Sequence, residues 1–189
     1  MSYIPDEAKC FELFSQYNEQ GFHYRHAEIV SGIMKYFAGK YDPGREDFWA
    51  AVGFLHDLAF EKFPEEQVVK QPEIMREMGL CEELIQASII HLYGQPGADR
   101  EPETAMEKLL YAADDLSSLI FAANMLRDSR SVNDMQIWEL DERFDTPTFA
   151  PACSRAVILK GAELMGWSRD EMFQAVIDAM RSMNPDAGL

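Results

Sequence analysis

The residues of this chain whose types and spacing best suit chemistry are His26, the pair His56-Asp57, and the pair Asp114-Asp115. Two imidazoles with two carboxylates form a donor set suited to a divalent metal ion. Each residue also poses a burial problem that a cation would relieve. His26 falls among Phe22, Ile29 and Ile33, where an unpartnered polar ring costs roughly 1–3 kcal/mol. Asp114 falls in an apolar stretch with Leu110, Tyr111 and Phe121, where an uncompensated carboxylate is costlier still. An isolated His-Asp pair is more often a core histidine beside a capping or solvated carboxylate. The ordered company of His26 and the acidic pair favours metal binding, although periodicity does not separate Asp114 from Asp115.

This ordered set resembles the HD-domain superfamily of metal-dependent phosphohydrolases. The segments Phe54-Leu-His-Asp-Leu-Ala-Phe-Glu-Lys-Phe-Pro64 and Met106-Glu-Lys-Leu-Leu-Tyr-Ala-Ala-Asp-Asp-Leu116 are similar to a small, stand-alone HD subfamily. Ser131-Val-Asn-Asp-Met135 extends the similarity, which lies within about residues 22–180. The resemblance implies an all-α fold and one divalent ion held by His26, His56, Asp57 and Asp114. It also implies hydrolysis of a small phosphoester, such as a nucleotide, by metal-activated water. It selects Asp114 over Asp115, for which a solvated or Lys108-linked carboxylate is expected.

Further candidates surround this set. Glu61, four residues beyond Asp57, is a candidate to orient the attacking water, and Lys62 to bind a phosphate oxygen; both also fit ordinary surface charge. His91 shares a helical face with Leu84, Ala87 and Ser88, so it either lines the pocket as a proton donor or phosphate contact, or is a hydrogen-bonded core histidine. His23, one turn before His26, reads either as a second ligand or substrate contact or, more commonly for such a place, as a surface residue at a helix start. A dinuclear HD site needs additional histidines between the His-Asp pair and the final Asp, and only His91 is available. Where similar HD proteins often carry His, this chain has Gln67. One metal is therefore expected, manganese first; iron, cobalt, nickel and zinc also suit these ligands, and magnesium suits imidazole less well. The Gln67 departure keeps open a non-catalytic metal-binding or ligand-sensing module, while the shortage of histidines disfavours a dimetal oxygenase.

The elements that must position these residues read as helices, because apolar residues recur at three- and four-residue spacings and β-branched alternation is scarce. Eight or nine helices are predicted in one compact domain covering 1–189: about 5–17, 22–37, 45–57, 72–78, 81–92, 103–126, 133–144, 148–165 and 168–183. The long central helix carries the acidic pair on a stripe of Leu109, Ala113, Leu116, Ile120 and Ala123. Ser168-Arg-Asp-Glu171 matches a capping box.

Composition narrows the partners. Seventeen Lys and Arg against 33 Asp and Glu give a net charge of −16, a surface that repels nucleic-acid polymers and anionic membranes. A small phosphorylated substrate then needs a local positive charge, which a bound dication supplies. Three dispersed cysteines without a Cys-x-x-Cys indicate neither a disulfide framework nor a zinc knuckle, and a reducing cytoplasm is expected. No signal core or spanning segment is read. The exposed helix faces are compatible with a homodimer.

Overall fold

The computed structural model describes residues 3–183. Among them are nine α-helices: α1 (Glu7–Phe14), α2 (Gly21–Tyr41), α3 (Glu46–Leu55), α4 (Gln67–Glu77), α5 (Glu82–Ser88), α6 (Ala105–Met125), α7 (Ile137–Phe144), α8 (Arg155–Met165) and α9 (Arg169–Ser182). Short 3-10 turns follow α5 at Ile89–Leu92 and precede α7 at Val132–Asp134. The sole β feature among the described residues is a bridge between Tyr3 and Leu80. The all-α bundle expected from helical periodicity is the observed architecture.

The two longest helices, α2 and α6, pack together at the centre, with α3 along α2 and α8 along α6. Their contact faces supply fully buried Val30, Ile33, Met34, Leu109, Ala113 and Leu116. Two glycines set how closely these pairs approach. A Cβ on Gly53 of α3 would stand 2.8 Å from the Val30 carbonyl oxygen of α2, and one on Gly161 of α8 would stand 2.5 Å from the Ala112 Cβ of α6. Helix starts are fixed locally: Thr104 with Glu107 and Ser168 with Glu171 form capping boxes, the second as its sequence predicts.

Several boundaries differ from expectation for identifiable reasons. Helix α4 begins at Gln67, not at Pro72, which lies inside it. Proline forfeits one helical hydrogen bond there, but the earlier start brings buried Gln67 and Gln71 onto one face toward the His56 carbonyl. The expected 81–92 helix tightens into a 3-10 turn after Ser88. The helix expected from residue 148 starts only at Arg155, capped by Ser154, because Arg155 donates to the carbonyls of Phe149, Ala150 and Cys153 and holds the preceding loop in place. The helix expected from 133 is a 3-10 turn followed by α7. Phe22, read as part of a buried stripe, is 57% exposed, since it sits in the first turn of α2. Among the described residues, no helix is long and apolar enough to cross a membrane. All three cysteines are free.

Candidate metal centre and its cavity

Four side chains from three segments converge. His26 comes from the second turn of α2, His56 and Asp57 from the end of α3, and Asp114 from the middle of α6. One donor atom from each lies within 4.8 Å of every other, so this group could hold a metal ion. His26 Nε2 is 3.1 Å from His56 Nε2 and 3.0 Å from Asp114 Oδ1. His56 Nε2 is 3.5 Å from both Asp57 Oδ2 and Asp114 Oδ1, and His26 Nε2 is 4.0 Å from Asp57 Oδ2. With metal–ligand bonds of about 2.1 Å, adjacent ligands stand roughly 3.0 Å apart in an octahedron and roughly 3.4 Å apart in a tetrahedron. The observed spacings fit ligands sharing one ion.

The helix end solves the problem of using neighbouring residues. Within a helix His56 and Asp57 would diverge by about 100°; α3 stops at Leu55, and the tight turns after it let both side chains face the same point. His56 is completely buried, and its Nδ1 lies 2.7 Å from the Gly53 carbonyl oxygen. A carbonyl only accepts, so Nδ1 carries hydrogen and Nε2 is the atom presented to the centre. His91 repeats the device, with Nδ1 2.7 Å from the Ser88 carbonyl and Nε2 3.2 Å from Asp57 Oδ1. His26 is oriented by Ser118, whose Oγ is 3.2 Å from Nδ1.

A layer of amides supports Asp57. Gln67 Nε2 donates to Asp57 Oδ1 at 2.7 Å and to Gln71 Oε1 at 3.2 Å, while Gln71 donates to the His56 carbonyl. Gln67 therefore fixes the orientation of one carboxylate.

The electrostatics reflect two carboxylates among three imidazoles. Burial disfavours charge on His56, but Asp57 and Asp114 outweigh it and raise its pKa to about 9. Burial likewise opposes ionisation of Asp57 and Asp114. Imidazoles prevail at both: His56 and His91 lower Asp57, and His26 and His56 hold Asp114 well below the usual carboxylate range. Asp115 behaves differently. Burial, then the neighbouring Asp114 charge, push it up to about 7, and its Oδ1 accepts from the Ser154 backbone N–H at 2.9 Å. The expected solvated or Lys108-linked carboxylate is thus a half-buried tether for the start of α8, because the loop before Arg155 folds over this part of α6.

The other candidates are less central. Glu61 Oε2 accepts from the backbone N–H groups of Glu19 and Gln20 and lies 2.8 Å from His23 Nδ1, so it clasps the start of α2. His23 is consequently a partly buried partner of Glu61 and not a surface histidine. Lys62 donates to the Gln16 carbonyl and lies over the Tyr17 ring, turned toward the end of α1. Neither Glu61 nor Lys62 lines the cavity above the cluster, whereas His91 does. Ser118 and Gln71 were not singled out in the sequence, although Ser118 follows Asp114 by four residues and Gln71 follows Gln67 by four, the spacing of one helical face.

The cluster lies at the base of a cavity of about 750 Å³ enclosed by α2, the turns after α3, the 3-10 turn at His91, α6 and the loop before α8. In comparisons with known proteins, no family model, curated protein or solved structure matches this chain. The case for its chemistry therefore stands on the residues themselves.

Proposed function

We propose that this chain is an HD-type metal-dependent phosphohydrolase acting on a small phosphoester, such as a nucleotide, with one divalent metal held by His26, His56, Asp57 and Asp114. The observation that carries the reading is the convergence of these four donors, up to 88 residues apart in sequence, at the base of a ligand-sized cavity. A divalent ion there supplies Lewis acidity toward a phosphoryl oxygen and makes water acidic enough to serve as a nucleophile near neutral pH. Fully buried His56 closes the inner side of the centre, while His26, Asp57 and Asp114 face the cavity, from which a substrate approaches. Gln67 keeps Asp57 from rotating. His91 faces the cavity, and as an imidazolium with its Nδ1–H held by the Ser88 carbonyl and Nε2 beside Asp57 it can pass the Nε2 proton to a departing alkoxide oxygen and be left neutral. Manganese is the first metal to try, followed by iron, cobalt, nickel, zinc and magnesium.

The test is a panel of small phosphoesters assayed with each metal, on wild type and on His91→Ala. Metal-dependent turnover that His91→Ala reduces about 10²-fold or more, with metal retained, supports the assignment. Metal retained with no turnover of any ester would instead favour a non-catalytic metal-binding or ligand-sensing module. The feature that speaks for this second reading is Gln67, whose amide occupies Asp57 Oδ1 and lies 3.5 Å from His91 Nε2, where another ligand would stand.

A further inference from the structure

The cavity wall has a chemical character that the cluster alone does not explain. No lysine or arginine is among the residues lining it. Much of its apolar surface is aromatic, with Tyr93 and Tyr111 at ring centroids 5.6 Å apart in one part, Phe22 and Phe121 in another, and Phe60 on the lining as well. The carboxyl groups of Asp57, Asp114 and Asp115 face it, and of the histidines on its lining His23 is engaged by Glu61 and His91 by Ser88 and Asp57. Several basic side chains on the surrounding elements are engaged away from it, Arg25 with Glu28 at 3.5 Å among them. Lys62 is bound to the Gln16 carbonyl, Arg155 to the loop carbonyls before α8, Arg100 to Glu107, and Lys160 lies 3.5 Å from Glu101 and Glu163.

Charge counting then restricts the ligand. Two ligand carboxylates cancel the two positive charges of a divalent ion, so the centre leaves no net positive charge for a second anion on the wall. One phosphoryl group can still be bound by direct coordination. A second anionic group on the substrate would meet carboxylates and aromatic rings, with neither the guanidinium forks nor the ammonium groups that ordinarily receive it.

We propose, resting on the phosphohydrolase reading, that the cavity selects monoesters with one phosphate, no second anionic group, and an aromatic or apolar organic part. The aromatic walls receive the organic part by stacking, and the acidic wall rejects a second charge. Selectivity by charge is a property of the wall and is separable from the presence of the metal.

The experiment compares phenyl phosphate with its para-carboxylated analogue, and a nucleoside monophosphate with the matching triphosphate, at fixed free Mn²⁺. In each pair the more anionic ester is expected to have kcat/KM lower by about tenfold or more, because its extra charge loses solvent on the wall without gaining a cationic partner. Val157→Lys and Ala122→Lys place a cation on the wall and are expected to narrow that ratio. Near-equal kcat/KM within both pairs overturns the inference while leaving the hydrolase reading intact, as does a ratio unchanged in both lysine variants. If no ester is hydrolysed, the hydrolase reading fails. Calorimetric binding of the same pairs to Mn²⁺-loaded protein then decides: tenfold weaker binding of the more anionic member supports the wall selectivity, and equal binding or none overturns it.

Discussion

Two of the cavities in this bundle contain carboxylates, yet among the described residues only one of the two contains a cluster of donors that could share an ion. The first, of about 560 Å³ between α1, α2 and α3, is lined by Asp6, Glu28 and Asp47. Each of these has a local task. Asp6 caps α1 by accepting from Lys9 N–H, Glu28 lies 3.5 Å from Arg25, and Asp47 lies 3.1 Å from Lys35. In the second cavity, Asp57 and Asp114 lie among imidazoles held by backbone carbonyls and by Ser118. Acidic residues beside a cavity therefore mean little by themselves. What distinguishes the second is that its donors are buried, come from different helices and have their orientation fixed from behind.

The largest expected effect separates the two neighbouring aspartates of α6. Asp114→Ala should eliminate metal retention and lower hydrolysis by about 10³-fold or more, whereas Asp115→Asn should retain the metal; elemental analysis and the ester assay together check both. Equal metal loss in the two variants would erase the distinction drawn between a ligand and a tether.

The supporting glycine comes next. Gly53→Ala places a methyl group against the α2 backbone at Val30 and Ser31, in a helix pair whose spacing also sets the distance from His26 to His56. We expect a stability loss of about 1–3 kcal/mol in urea unfolding, with weaker metal binding. Unchanged stability would show that α2 and α3 are not as tightly engaged as their geometry indicates.

The metal-free protein should respond to pH through the same cluster. The folded pKa of His56, raised to about 9, exceeds its ordinary value of about 6.5, so its stabilisation is fully present below about pH 6.5 and is lost as pH rises through about 9. Asp57 and Asp114 are lowered, so their contribution is present above about pH 4 and is lost on further acidification. Urea midpoints of chelated protein should therefore fall on the alkaline side by an amount equivalent to a few kcal/mol. A flat profile from pH 6 to 10 would contradict the pairing of His56 with these carboxylates.

Smaller effects complete the contrast. Gln67→Ala should weaken metal affinity about 10–100-fold by freeing Asp57, measured by competition with a chromophoric chelator. Asp47→Asn, in the other cavity, should change stability by no more than about 0.5–1 kcal/mol and leave metal binding unaltered, because it breaks only an exposed pair with Lys35.

The all-helical architecture was legible because helical spacing covers most of the chain, and so was the convergence of His26, His56, Asp57 and Asp114 through their order and apolar setting. Details that depend on packing between distant segments were not. Asp115 reads as solvated until the loop before Arg155 is folded onto it, and Glu61 reads as a water-orienting group until its contacts with the start of α2 are known. Pro72 suggests a helix start, and only the burial of Gln67 and Gln71 beneath His56 accounts for the earlier one. Phe22 has the right spacing for a core position, yet its place in the first turn of α2 leaves it at the cavity mouth.

The claim beneath all of this is that four separated side chains bind one ion, and metal stoichiometry tests it most directly. Purified wild-type protein equilibrated with Mn²⁺ and freed of excess should contain about one metal per chain, and a folded His56→Ala/Asp57→Ala double variant should contain essentially none. A wild-type chain that takes up no divalent metal, or a double variant that takes up as much as the wild type, would contradict the account.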